Sequence, residues 1–188
     1  MSTDNPEHLS VDGAAFSIGI VAARYNFNRV NALLESVLET LKASGVDPEN
    51  IEVFRVPGSH ELPFAVAMAA RTDAFDAVIA LGVVIAGETS HHQVIADSTA
   101  RALQEAGLHH AIPVINGILA VDTPSQADER ITGSLRRGVD FARAALEMAV
   151  LNAELQTRID NRSLDLDLED LDWLDELDED DGPEDWKR

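Results

Sequence analysis

The densest chemistry in this sequence lies in GVVIAGETSHHQV, Gly82 to Val94, where a glycine, a carboxylate, two hydroxyls and two imidazoles follow an apolar run. Gly87 lets the backbone turn closely, and Glu88, Thr89 and Ser90 stand where a helix is expected to begin. The first N–H groups of a helix have no acceptor within it, so together with two hydroxyls they can cradle a phosphate. Glu88 then has to point its side chain away from the anion. His91, further into the helix, is placed to exchange protons with whatever the cradle holds, since an imidazole titrates near ~6.5. Two plainer readings stay open. Thr89 or Ser90 can be no more than an N-cap. Glu88, His91 and His92, at helical spacings, can also ligate a metal, although no Asp or Cys lies near to complete the set.

Three other segments carry candidate groups, each behind an apolar run. ARYNFN supplies Tyr25, able to stack on a flat heterocycle, and Asn26, able to hydrogen-bond it; alternatively Tyr25 plugs the top of the core. In VPGSHELP, Pro57 and Gly58 make a tight turn, and Ser59, His60 and Glu61 open the next helix. Glu61 there is either a favourable charge at a helix N-terminus or a carboxylate that accepts from a polyol or amine. In VDTPSQADERITGSLRRGVD, residues 122–124 start a short helix containing Arg130, and Arg136 and Arg137 precede a longer one. Arg130 and Arg137 are candidate phosphate partners, or else surface ion pairs with Asp128 or Glu129. His109 and His110 read as surface residues.

These loops need elements to hold them. Phe16–Ala23, Ile51–Val56, Asp76–Ile85 and Pro113–Val121 are nearly continuous apolar runs of strand length, as strands buried on both faces require. Between them lie helical patterns. Val30, Leu33, Leu34, Val37, Leu38 and Leu41 form one face of a helix stopped by Gly45. Glu61 to Ala70 reads as a short buried helix with Pro63 in its first turn. Thr89 to Gly107 places Val94, Ile95, Thr99, Ala102 and Leu103 inward, with Gly107 as its end. The last long helix turns Val139, Phe141, Ala142, Ala145, Leu146 and Met148 inward. Alternating β and α units predict a parallel sheet with helices on both faces, which binds ligands beyond the carboxyl ends of its strands.

Composition narrows the function classes. There is no cysteine, hence no disulfide and no thiolate metal site, which is compatible with a cytoplasmic protein. The N-terminal residues lack the basic start and apolar stretch of a secretory signal, and no apolar run is long enough to span a membrane. The net charge of -20 repels phosphate polymers and anionic membranes, so nucleic-acid and membrane partners are not expected. Just over half of that excess sits at and beyond Asp160, and a few local donors suffice to set the field in a cleft for a small anionic substrate. Three parts are expected: an N-terminal arm, 1–15; an α/β domain, 16–155; and an acidic tail, 156–188. The tail reads as a solvated, disordered segment. Alternatively Leu164, Leu168, Leu171 and Leu174, with Trp173 nearby, form an acidic amphipathic helix able to dock.

Taken together, ARYN, VPGSHELP, GVVIAGETSHH, PVINGIL, PSQADER and RRGVDFARAALEM, in this order, resemble the 6,7-dimethyl-8-ribityllumazine synthase family of riboflavin biosynthesis. The resemblance covers about Phe16 to Leu155. It implies a flavodoxin-like three-layer α/β/α sandwich with a four-stranded parallel sheet, assembled as homopentamers that remain single, pair as decamers or close into sixty-subunit icosahedral shells. It implies an enzyme that condenses 5-amino-6-(D-ribitylamino)uracil with 3,4-dihydroxy-2-butanone 4-phosphate, without metal or redox cofactor, and that is linked to riboflavin synthase. By position, Tyr25 stacks on the pyrimidine, with Asn26 beside it. Ser59, His60 and Glu61, with the backbone of Val83, Val84 and Ile85, hold the ribityl chain and ring. Glu88 and Thr89 give backbone donors to the phosphate, and His91 is the proton donor. Asn116 and Arg130 reach in from a neighbouring subunit, Arg130 to the phosphate, and Arg137 stands about where the family has another basic residue.

The sequence departs from that pattern in several places. Ala86 replaces a basic residue, His92 replaces the aromatic after the catalytic histidine, and Asn116 stands where many relatives have Phe. Ile131 to Arg137 runs one residue short, and the acidic tail has no counterpart. Two other readings compete with the synthase: a non-catalytic flavin-binding or shell-forming protein of the same fold, and a flavodoxin-like regulator or phosphosugar enzyme. The presence of Glu61, His91 and Arg130 together argues against the first, and the VPGSHELP turn beside an aromatic from the first strand argues against the second.

Overall fold

A computed structural model describes residues 9–175 of the chain, with side chains described through Arg162. Four strands form one parallel sheet: β1 (Ile18–Ala23), β2 (Ile51–Val56), β3 (Ala77–Ile85) and β4 (Val114–Val121), in the order β2-β1-β3-β4. Parallel neighbours cannot be joined by tight turns. The crossovers here carry α1 (Phe27–Ala43), α2 (Leu62–Ala70) and α3 (His91–His110), followed by α4 (Pro124–Ile131) and α5 (Arg137–Asp175). With helices on both faces, this is the flavodoxin-like α/β sandwich that the alternation of elements predicts.

Strand periodicity divides the core. Ile18, Ile20, Ala22, Ala77, Ile79 and Leu81 face a cluster completed by Val30, Leu33, Val37 and Leu41 of α1, Ala127 and Ile131 of α4, and Ala142, Ala145, Leu146 and Ala149 of α5. Val21, Ala23, Val78 and Ala80 face the opposite cluster, with Leu62 and Val66 of α2 and Leu103 and Ala106 of α3. Each fully buried Leu, Ile or Val contributes about 1.5–3 kcal/mol, so these two layers hold the sheet rigid beneath the loops. The small alanines of α5 let that helix lie close to the sheet.

Several expectations need correction. The central strand β1 is buried throughout, but the edge strands are not covered on both faces: Glu52, Val53 and Arg55 of β2, and Asn116 and Ala120 of β4, are exposed. α3 does not stop at Gly107. It runs three residues further and ends at Ala111 in the left-handed region. Gly107 serves close packing instead, since a Cβ there would lie 3.1 Å from the Ile112 carbonyl oxygen and 3.3 Å from Val114 Cβ. Val94 and Met148 are exposed, not inward, whereas Ala106 and Ala149 of the same helices are buried.

The chain divides into two compact units, Met1–Asn152 and Ala153–Arg188. Within the second unit, helix α5 continues to Asp175. Side-chain docking of Leu164, Leu168, Leu171, Trp173 and Leu174 lies outside the described residues, as does the start of the N-terminal arm. Among the described residues, no helix is long and apolar enough to cross a membrane.

Candidate active site

The sheet creates a cleft by being uneven. β1 pairs with β3 only as far as Ala22↔Leu81, whereas β3 continues to Ile85 with β4 alone beside it. The overhang Gly82–Ile85 therefore has a side that β1 does not reach, at the point in the strand order where crossovers depart in opposite directions. A cleft of about 620 Å³ occupies this place. Volumes in this range are typical of small-molecule sites.

Three loops wall it. From β1, the Arg24 and Tyr25 amides donate to the Val56 and Pro57 carbonyls at 2.9 and 3.1 Å, extending the ladder past the strand end. That leaves Tyr25 at the rim, 76 % exposed, so it does not plug the core. Asn26 adopts the left-handed conformation, which asparagine tolerates better than most residues. Its Nδ2 donates to the Val83 carbonyl at 2.8 Å, tying the first loop to the floor.

The second wall is the turn after β2. The Gly58 amide donates to Glu61 Oε2 at 2.8 Å, so Glu61 closes its own turn and is held in a fixed orientation. Ser59 is buried against β3, where Gly82 makes room: a Cβ on Gly82 would lie 2.5 Å from Ser59 Oγ. His60 is exposed at the cleft.

The third wall is the β3–α3 loop. Ser90 is the N-cap by position, but its side chain makes no capping bond, which removes the plain N-cap reading for Ser90. Thr89 Oγ1 accepts from the His91 amide at 3.5 Å, the limit for such a bond. His92 Nδ1 lies 3.1 Å from the Thr89 carbonyl oxygen. The metal reading of Glu88, His91 and His92 finds no support, since no three such side chains converge among the described residues.

Of the residues singled out in the sequence, Tyr25, Asn26, Ser59, His60, Glu61, Val83, Val84, Ile85, Thr89 and His91 line this one cleft. Glu88 is exposed and is not part of the lining. Gly58, Gly87, His92, Val94 and Ile95 also line it. Helical periodicity assigns Val94 and Ile95 to the core, so no sequence signal marks them as cleft residues.

Asn116, Arg130 and Arg137 lie elsewhere. Asn116 is exposed on edge strand β4, with its Oδ1 accepting from the Ile118 amide at 3.1 Å. The α4 helix forms as expected: Thr123 Oγ1 accepts from the Gln126 amide at 3.2 Å, and Pro124 follows it. Neither arginine pairs with Asp128 or Glu129. Asp128 is held by Arg29 of α1 through two bonds of 2.7 and 3.0 Å. The hydrogen bond from Arg29, more than its charge, holds this carboxyl below the usual range. Glu129 is lowered likewise, first by the Ser134 hydroxyl and then by the Ser134 amide. Arg130 donates to the Gln126 carbonyl at 3.1 Å and has no carboxylate partner among the described residues. Arg137 pairs with Asp140 at 2.9 Å.

Comparison with known proteins gives one consistent match. The family model described as 6,7-dimethyl-8-ribityllumazine synthase matches residues 15–153. A 6,7-dimethyl-8-ribityllumazine synthase from Bordetella petrii is 45% identical over 159 residues, 84% of this chain and 89% of that protein. The protein of the same name from Polaromonas sp. is 42% identical over 145 residues, covering 77% of this chain and 92% of its own. That from Halorhodospira halophila is 40% identical over 157 residues, 83% of this chain and 99% of its own.

Proposed function

Because the chain belongs to the 6,7-dimethyl-8-ribityllumazine synthase family, we propose that the cleft between the β1, β2 and β3 loops is where it performs the family's reaction. That reaction is a step of riboflavin biosynthesis. The enzyme condenses 5-amino-6-(D-ribitylamino)uracil with 3,4-dihydroxy-2-butanone 4-phosphate, giving 6,7-dimethyl-8-ribityllumazine, phosphate and water.

The observation that carries the site assignment is the convergence of Tyr25, residues 59–61, residues 83–85, Thr89 and His91 on one cleft. Tyr25 stacks on the pyrimidine, and Asn26 Oδ1 accepts from it. Val83 to Ile85 offer the strand side that β1 leaves unpaired to the ring, while Ser59, His60 and Glu61 bind the ribityl hydroxyls. The four-carbon phosphate lies against the backbone of Glu88 and Thr89, in the loop that leads into α3. The substrate amine attacks the ketone, the carbinolamine loses water to give an imine, phosphate leaves, and ring closure releases a second water. Holding two reactants in one cleft supplies most of the acceleration. His91 moves protons between these steps.

The phosphate needs a permanent cation, and among the described residues the cleft lining holds no Lys or Arg. Arg130, free of any carboxylate among the described residues, is the candidate, reaching in with Asn116 from a neighbouring copy of the chain. Arg137 is engaged by Asp140, so in this reading Arg130 is the principal phosphate ligand. The homopentamer is the assembly in which this happens, alone, paired or as a shell, in the cytoplasm and supplying riboflavin synthase. Exposed Phe64 and Met68 on α2 and Val53 on β2 support an oligomer, since a monomer gains nothing by leaving them in water.

The test is absorbance of the lumazine product after mixing the protein with both substrates. Product should accumulate, and Arg130→Ala should abolish it at low concentrations of the phosphorylated substrate and restore part of it at high ones. Absence of product with the pyrimidine still bound would overturn the catalytic reading.

A further inference from the structure

His92 has no role in the reaction just described, yet its ring lines the cleft and reaches back to the loop that precedes its own helix. A backbone carbonyl only accepts, so the 3.1 Å contact between His92 Nδ1 and the Thr89 oxygen requires the proton to be on Nδ1. This bond matters because the loop is otherwise loosely held. Gly87, Glu88, Thr89 and Ser90 are exposed, and a Cβ at Gly87 would meet nothing within 4 Å. Among the described residues, it is the one hydrogen bond to the backbone of Gly87, Glu88 or Thr89. In a trans peptide the carbonyl and the following N–H point in opposite directions. Anchoring the Thr89 carbonyl to the ring therefore fixes the plane of the Thr89–Ser90 peptide, immediately after the Thr89 N–H assigned to the phosphate.

We infer that His92 is a positioning residue, whose Nδ1–H donates to the Thr89 carbonyl and so holds the Gly87–Ser90 loop in the arrangement that receives the substrate phosphate. The inference rests on the assignment of this loop to the phosphate. His92 touches no reacting atom in this account and acts through Thr89. Its contribution belongs to binding of the phosphorylated substrate, because the orientation it fixes is needed equally in the ground state and the transition state.

Two substitutions separate the donor from the bulk. Asparagine carries an N–H donor at nearly the position of Nδ1 but has no ring. Phenylalanine keeps the ring and has no donor. His92→Phe should raise the KM for the phosphorylated substrate, and the inhibition constant of inorganic phosphate, by about three- to tenfold, the value of one hydrogen bond. Its kcat and its affinity for the pyrimidine should stay within about twofold. His92→Asn should recover most of the loss. If the Phe variant binds phosphate as wild type does, or if Asn is the worse of the two, the ring is packing material and the inference fails. If inorganic phosphate does not compete with the phosphorylated substrate even in wild type, the phosphate assignment of the loop fails with it.

Discussion

At the scale of single residues, several side chains combine a structural bond with an open face toward the cleft. Asn26 spends Nδ2 on Val83 and keeps Oδ1, while Glu61 spends Oε2 on Gly58 and keeps Oε1. Each is thereby pre-organised, and little side-chain entropy is left to lose on binding. His91 is different: it is exposed, with its ring tied to no neighbour among the described residues, which suits the proton-transfer role proposed for it. His91→Ala should slow turnover by about ten- to a thousandfold while pyrimidine binding stays within about twofold, because proton transfer is lost and the binding surface is not. Steady-state rates alongside pyrimidine titration check this, and an unchanged rate would end the proton-transfer role. The residue types were legible in the sequence. The division of each side chain between a structural bond and an open cleft face was not, because it depends on partners far apart along the chain, such as Asn26 and Val83.

At the scale of elements, the site depends on how closely the β2–α2 turn approaches β3. Gly82 sets that distance, since any side chain there would overlap Ser59. Gly82→Ala should cost about 1–3 kcal/mol of stability, as overpacking does, and should weaken pyrimidine binding by displacing Ser59 to Glu61. Thermal melting and pyrimidine titration measure the two effects. A stable variant with unchanged binding would show that the turn can give way without consequence. Strand ends and helix faces around this site were readable from apolar runs and periodicity. Two features were not. The exposure of β2 and β4 follows from their being edges, and edge position depends on strand order. Val94 has the periodicity of a core residue but lines the cleft, so its apolar face meets the cleft and not the sheet.

At the scale of the whole molecule, charge is distributed unevenly. Fourteen acidic and three basic residues lie at or beyond Asp160 in a chain of net charge -20. Where copies of the chain assemble with these segments near one another, the segments repel, and that repulsion is screened over about 10 Å at 0.1 M salt. We expect deletion from Asp160 onward to favour larger particles at low ionic strength, with the difference from the full chain vanishing as salt is raised. Light scattering across a salt series tests this, and an identical particle size at every salt concentration would remove the segment from any account of assembly.

What the sequence determined by itself was the set of elements, the family and the identity of most cleft residues. These are local properties: apolar runs of strand length, helical spacing, and short motifs at the strand ends. Tertiary structure decided everything that depends on which strands become neighbours. The order β2-β1-β3-β4 placed three loops around the unpaired end of β3 and left β2 and β4 as edges. It also tied Asp128 to Arg29 of α1, leaving Arg130 without a carboxylate partner among the described residues. Pairings of this kind join residues up to a hundred positions apart, and no pattern along the chain encodes them, because burial and hydrogen bonding act on distance in space.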